Sequence, residues 1–276
     1  MADYDTPNVP AKDLKEDLAR LARKARQGLI DVPQASAALG LDRKETSRRL
    51  SHLSKRGWLA RVRRGLYYLR PLEALPGRQA VPEDPWVVAS VAYHPCYVGG
   101  WSAAEHWDLT EQLFRDTFVV TARNVRATQE ELLGLKFRLV RVASQERISG
   151  TQTVWRGRER VNVSSPERTL VDGLNDPGWL GGLRHLVSAM GRFLESAPDL
   201  EQLKAELDAY GRGVAFKRFG FLFDRVWPEH RELVVFAKER VSQGVVRLDP
   251  KLPAQGRLDS RWGLWINTDL DKALIE

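Results

Sequence analysis

The stretch from Leu29 to Leu69, LIDVPQASAALGLDRKETSRRLSHLSKRGWLARVRRGLYYL, constrains the fold of this chain more than any other. Its spacing predicts a short helix, a tight turn, a longer basic helix, and two strands joined by an arginine–glycine turn. The first turn falls at Gly40, Leu41 and Asp42, after an alanine-rich segment whose small residues let two helices approach closely. Asp42 stands at an N-cap position with Glu45 three residues on, the pattern of a capping box. Thr46, Leu50 and Leu53 share one helical face and form a stripe that can bury. Lys44, Ser47, Arg48, Ser51 and Lys55 fall on the other side, a polar and mostly cationic face. Gly57 ends the helix, Trp58 to Ala60 resumes as a strand, and Arg63-Arg64-Gly65 turns the chain back into Leu66 to Leu69. This is the layout of a winged helix-turn-helix, which places its second helix in the DNA major groove.

A basic amphipathic helix alone is most often a solvated face. Here the turn, the capped basic helix and a wing carrying Arg61, Arg63 and Arg64 coincide, and together they point to DNA. Arginine and lysine on a groove-facing helix can donate to guanine O6 and N7, while other cations neutralise phosphate. Lys44, Ser47, Arg48 and Ser51 are assigned to the groove, with Lys55 further along the same face. Arg43, near the helix N-terminus, is placed to meet phosphate. Arg61, Arg63 and Arg64 are placed to meet the minor groove or backbone, and Arg49 and Arg56 are read as solvated flanks.

Charge agrees with this division. Residues 1–75 hold 16 Lys/Arg against 9 Asp/Glu, whereas residues 76–276 hold 27 of each. All of the net positive charge therefore lies on the first part, as expected where phosphates are contacted. A length of 276 residues suits two domains. The expected boundaries are 1–75 for the DNA-binding domain, 76–85 for a linker marked by Pro76, Gly77, Pro82 and Pro85, and 86–276 for the second domain. Residues 1–10 read as a lead-in, and Ala11 to Arg26 as a first helix with Leu14, Leu18 and Leu21 on one face.

In the second domain a helix is expected from Trp86 to Tyr93, and an apolar run at Cys96 to Val98. A two-turn helix should start near Ser102, with buried strands in DTFVVTA and LKFRLVRV. A hairpin should turn at Arg156-Gly157-Arg158, and a helix should follow within SSPERTLVDGL. Gly182 to Lys238 is helical in pattern, with breaks at Pro198, Gly211 to Gly213 and Pro228, and a short strand closes the chain at Gly263 to Asn267. The fold class is α+β: an N-terminal winged helix-turn-helix followed by a mixed, largely helical C-terminal domain.

The residues that suggest catalysis are dispersed. His94, His106 and His185 stand far apart in sequence with no cysteine or carboxylate at metal-ligand spacing. Ser102 in GGWSA lacks the glycine two residues on that a nucleophile elbow requires. Gly181-Gly182 and Gly211 to Gly213 match neither a phosphate loop nor a dinucleotide fingerprint. The nine tryptophans are scattered, as core or interface residues are. No enzyme, cofactor or metal is expected. One cysteine, Cys96, excludes an intramolecular disulfide and suits a reducing cytoplasm, and no stretch approaches a membrane span. The polar, acidic N-terminus reads as no signal peptide.

With these residues laid out, the chain resembles the AbiEi antitoxin family of AbiE-type toxin–antitoxin systems, whose biological setting is phage defence. The winged helix comes first. GGWSAAEHWDLTEQL with the following FVVT, SSPERTLVDGL, FKRFGFLFDRV, and RLDPKLPAQGRLDSRWGLWIN then resemble successive family segments in order and spacing. The lead-in at residues 1–10 departs from the pattern. The resemblance implies a cytoplasmic repressor of its own operon, monomeric in solution, with several copies filling repeats in double-stranded promoter DNA. It also implies a C-terminal domain that counteracts a nucleotidyltransferase-like toxin, directly or indirectly. The helix carrying Lys217 and Arg218 is the expected basic surface for that second role, unless it is only a solvated face. A ligand-responsive winged-helix regulator and a DNA-processing enzyme with a winged-helix targeting domain are the alternatives.

Overall fold

The computed structural model describes residues 11–70, 84–145 and 148–268. Two compact units emerge. The first comprises Met1–Ala92 with Glu131–Leu135 and Arg156–Glu159, and the second Tyr93–Glu130, Lys136–Trp155 and Arg160–Glu276. The lead-in at 1–10 and nearly all of the expected linker lie outside the described residues.

The first unit carries helices α1 (Ala11–Lys24), α2 (Val32–Leu39), α3 (Arg43–Lys55) and α4 (Pro85–Ala92), and strands β1 (Leu29–Asp31), β2 (Leu59–Arg63) and β3 (Leu66–Leu69). Leu21, Ile30, Val32, Ala35, Leu39, Leu50, Leu53, Leu59 and Tyr67 form its core. The stripe read from the sequence is the face that packs, since Thr46, Leu50 and Leu53 are all fully buried. The strands form one antiparallel sheet in the order β1-β3-β2, with Leu29 opposite Tyr68 and Ala60 opposite Tyr68 on its other side. Strand β1 is an addition to the sequence reading. Three residues are too few to show a period, and pairing with β3 is what makes them a strand.

The helix-turn-helix is fixed by its caps. Asp42 Oδ1 accepts from the N–H groups of Lys44 and Glu45 at 2.7 and 2.8 Å. That is the forward half of the expected capping box. The full box forms one helix earlier, where Asp31 Oδ1 accepts from Gln34 N–H at 2.8 Å and Gln34 Oε1 accepts from Asp31 N–H at 3.1 Å. Gly40 ends α2 in the left-handed conformation at φ 69°, the geometry that lets the chain reverse into α3.

The largest sheet among the described residues has six strands, β4 (Cys96–Val98), β5 (Thr117–Thr121), β6 (Gln129–Leu132), β7 (Leu135–Arg141), β8 (Thr151–Arg156) and β9 (Glu159–Ser164), most of whose residues belong to the second unit. Their order is β6-β7-β5-β4-β9-β8, which leaves β6 and β8 at the edges. The pairing is mixed: β4 runs antiparallel to β5 and parallel to β9, and β5 runs parallel to β7. Strand β6, QEEL, carries no strand pattern and was not foreseen. Helix α5 (Gly100–His106) begins two residues before the expected start, and its first residue requires glycine: Gly100 adopts φ 52° and lies so close to Trp179 that a Cβ would stand 2.5 Å from its carbonyl oxygen. Five further helices follow: α6 (Pro166–Asn175), α7 (Leu183–Glu195), α8 (Leu200–Tyr210), α9 (Gly213–Val226) and α10 (Arg231–Lys238). A small sheet of β10 (Val246–Arg247), β12 (Leu264–Ile266) and β11 (Arg257–Asp259), in that order, closes the chain. Trp262 and Leu264 enter the helical core beside Phe219, Leu222 and Phe223.

Candidate nucleic-acid interface

Helix α3 has two faces of opposite character. Against the buried stripe stand Arg43, Lys44, Arg48, Ser51 and Lys55, all exposed, with Ser47 half-buried among them. The Ser47 hydroxyl donates to the Arg43 carbonyl at 2.8 Å, so its proton is engaged within the helix while its lone pairs stay open. Asp42 occupies the first free N–H groups of α3, so an anion approaching this end meets side chains rather than bare backbone donors. On the wing, Arg61 and Arg64 are exposed and Arg63 is half-buried. Gly65, at φ 79°, supplies the turn, and the pairing of β2 with β3 shifts register between Arg61 and Arg63. The structure thus brings the expected cations together on one short helix and one adjoining hairpin.

Arg49 is a different residue from the solvated flank read in the sequence. Its Nε donates to Asp17 Oδ2 of α1 at 2.5 Å, and both side chains are largely covered. Arg56 is exposed, as expected.

The basic surface expected at Lys217 and Arg218 is overturned. The two residues are 1% and 2% exposed. Lys217 Nζ donates to the carbonyls of Gln243 and Gly244 at 3.3 and 2.5 Å. The Arg218 guanidinium donates to Leu248, Leu174, Asn175 and Arg247 carbonyls at 2.6–2.8 Å. Burial pushes the Arg218 pKa down to about 10, against the opposing pull of Asp176 and Asp249. Both cations are interior staples on chain carbonyls, Arg218 reaching those at the C-terminal end of α6 and along β10, Lys217 those of the chain just before β10. A helix with aromatic residues on either side of a Lys-Arg pair leaves no sequence mark of which face turns inward.

A buried polar cluster that sequence reading missed lies in the second unit. Tyr97 of β4 donates its hydroxyl to Asp172 Oδ2 at 2.7 Å, and Arg168 Nε donates to Asp172 Oδ1 at 3.0 Å. Arg168 Nη1 also donates to Glu206 of α8 at 3.1 Å, so two carboxylates share one guanidinium. Burial raises the Asp172 pKa to about 6 despite the Arg168 charge beside it. Burial, then the Asp172 carboxylate, holds the Tyr97 proton on well above the usual phenol range. Arg168 is itself more firmly protonated than a free arginine: burial opposes its charge, and Asp172, Tyr97 and Glu206 more than reverse that. Arg168 and Asp172 come from SSPERTLVDGL, where their i, i+4 spacing was the available signal, whereas Tyr97 and Glu206 are brought to them from β4 and α8. Ser102 likewise has a structural task, accepting from the Phe118 N–H at 2.9 Å. Among the described residues no group of three or more His, Cys, Asp or Glu is arranged to hold a metal ion, and no helix is long and apolar enough to cross a membrane.

Three helices, a short turn and a three-stranded wing with cations along the second helix of the motif define the winged helix-turn-helix class. Residues 16–70 match the sequence model of the family described as "Transcriptional regulator, AbiEi antitoxin". The AbiEi resemblance is therefore shown from within α1 through α2, α3 and the β2–β3 hairpin, and the match stops before α4 and the segments further along. The fold is also similar to that in the crystal structure of RV2827C protein from Mycobacterium tuberculosis. The TM-score is 0.55 over 93% of this chain and 92% of that one, at 16% identity, a likeness of fold alone. Comparison with curated proteins finds no match.

Proposed function

We propose that the protein is an autorepressing antitoxin, which binds its own promoter through α3 and the wing and counteracts a nucleotidyltransferase-like toxin through its second domain. The observation that carries the reading is the exposed row Arg43, Lys44, Arg48, Ser51 and Lys55 opposite a fully buried stripe, with Arg61 and Arg64 beside it on the wing. Such a face offers donors to base edges and charge to phosphates at once. The AbiEi match over residues 16–70 supports the regulatory half. The functional division follows charge: residues 1–75 for DNA, residues 86–276 for the toxin pathway. The protein is a monomer in solution, and several copies occupy repeats in the promoter.

The test uses the full chain in a gel-shift titration against its own promoter, and in cells expressing the toxin encoded beside it. Promoter binding should be tight, and should fall steeply with salt as counterions are released. A variant carrying Arg48→Ala and Arg64→Ala should lose repression yet still rescue the cells. Absence of promoter binding by the wild-type protein would overturn the repressor half, and absence of rescue the antitoxin half.

A further inference from the structure

Most tryptophans here pack, but Trp155 is 67% exposed. It stands on β8, an edge strand of the six-stranded sheet. Across the hairpin, on β9, the Arg160 guanidinium lies over the indole, 5.7 Å from the ring centroid. One step along, the Thr153 hydroxyl donates to Asn162 Oδ1 at 3.2 Å, so the two strands are joined side chain to side chain on this face. Thr153, Trp155, Arg160 and Asn162 are all exposed, and the residues alternating with them on β9, Val161 and Val163, are buried. The two strands therefore hold a flat indole and a cation outward side by side.

An isolated indole set among threonine, asparagine and arginine makes a poor protein-binding surface. A stable protein interface needs about 800 Å² per partner around a desolvated apolar centre, whereas the described residues flanking Trp155 on this hairpin, Thr153, Arg160 and Asn162, are polar. Single-stranded nucleic acid has the opposite requirement. Each base offers a π-face that stacks on one aromatic side chain, and the adjoining phosphate takes a cation. In a duplex those base faces are hidden by stacking, so the indole discriminates in favour of a single strand. We propose that Trp155 and Arg160 form a stacking platform for single-stranded nucleic acid, separate from the duplex-binding helix α3.

The experiment is fluorescence anisotropy of two labelled probes with the full-length protein: a 12-nucleotide oligo(U) strand and the promoter duplex. Wild type should bind the single strand. Trp155→Ala should weaken that binding about tenfold while leaving the duplex titration unchanged. Trp155→Phe should restore most of the loss, because a smaller ring still stacks. Arg160→Ala should weaken the single strand and flatten its salt dependence. The exposed position of Trp155 leaves the melting temperature unchanged, which circular dichroism checks. Single-strand affinity equal in wild type and Trp155→Ala overturns the proposal, as does no single-strand binding by wild type. A parallel loss on the duplex overturns it in favour of a second duplex contact. Loss of toxin rescue by Trp155→Ala with both nucleic-acid titrations intact overturns it in favour of a protein partner. The promoter result for wild type is read independently, so failure of the repressor reading and failure of this one are distinguishable.

Discussion

Arg49 on α3 and Asp17 on α1 are joined by a hydrogen-bonded ion pair, Nε to Oδ2 at 2.5 Å, that ties the two helices together. The two side chains are 16% and 18% exposed, which keeps the pair out of bulk screening. Its consequence for DNA binding can be separated from simple charge. Asp17→Asn removes a negative charge, and electrostatics alone would tighten binding to any DNA. Loss of the tie should instead loosen the presentation of Arg48 and weaken binding to the promoter by about 1 kcal/mol, roughly fivefold, relative to a scrambled duplex. Gel-shift titration of both duplexes checks this, and equal tightening on both would assign Asp17 to electrostatics alone.

Exposed Arg48 and Arg64 should divide by role. Arg48→Ala should cost about 1–3 kcal/mol on the promoter and relax preference at one base position, as loss of a base-edge contact does. Arg64→Ala should weaken all duplexes alike and reduce the salt slope by about one. Titrations against a set of single-base promoter variants resolve the two patterns. A uniform loss from Arg48→Ala would make it a phosphate contact.

The Asp172 carboxyl gives the second unit a pH dependence of defined sign. Its pKa is raised from an ordinary 3.8 to about 6, chiefly by burial. The folded state therefore holds the proton more tightly than the unfolded chain. The stabilisation from this group is fully present below pH 3.8 and is lost as pH rises through about 6. Between pH 5 and 7.5 its share should fall by on the order of 1 kcal/mol. Urea unfolding at a series of pH values should show this step in wild type and lack it in Asp172→Asn. An unchanged profile in the variant would place the titration elsewhere.

Arg218 should prove structural. Its guanidinium serves four carbonyls, and Arg218→Ala leaves them buried without donors. A loss of about 3 kcal/mol or more is expected in urea unfolding. Arg218→Lys should recover only part of this, because an ammonium cannot reproduce the planar fork. Promoter affinity at low temperature should be unaffected. A stable Arg218→Ala variant would show that the carbonyls find other partners.

The sequence by itself determined the first unit in most of its detail. A helix whose apolar residues recur at i, i+4 and i+7 has only one face to bury, so Thr46, Leu50 and Leu53 placed the cations of α3 outward before any neighbour was known. Gly40, Asp42, Gly57 and Gly65 marked turns through local backbone chemistry, which needs no distant partner. Tertiary structure decided what depends on such partners. Strands β1, β6, β10 and β11 are short or polar, and pairing rather than pattern makes them strands. Arg49 found Asp17, and Arg168 found Glu206, across 32 and 38 residues of chain. Lys217 and Arg218 turned inward because chain carbonyls near residues 174 and 243–248 required donors there. A charged side chain reads as surface when only its own neighbours are known; whether it is buried is set by unpaired groups that the fold brings to it.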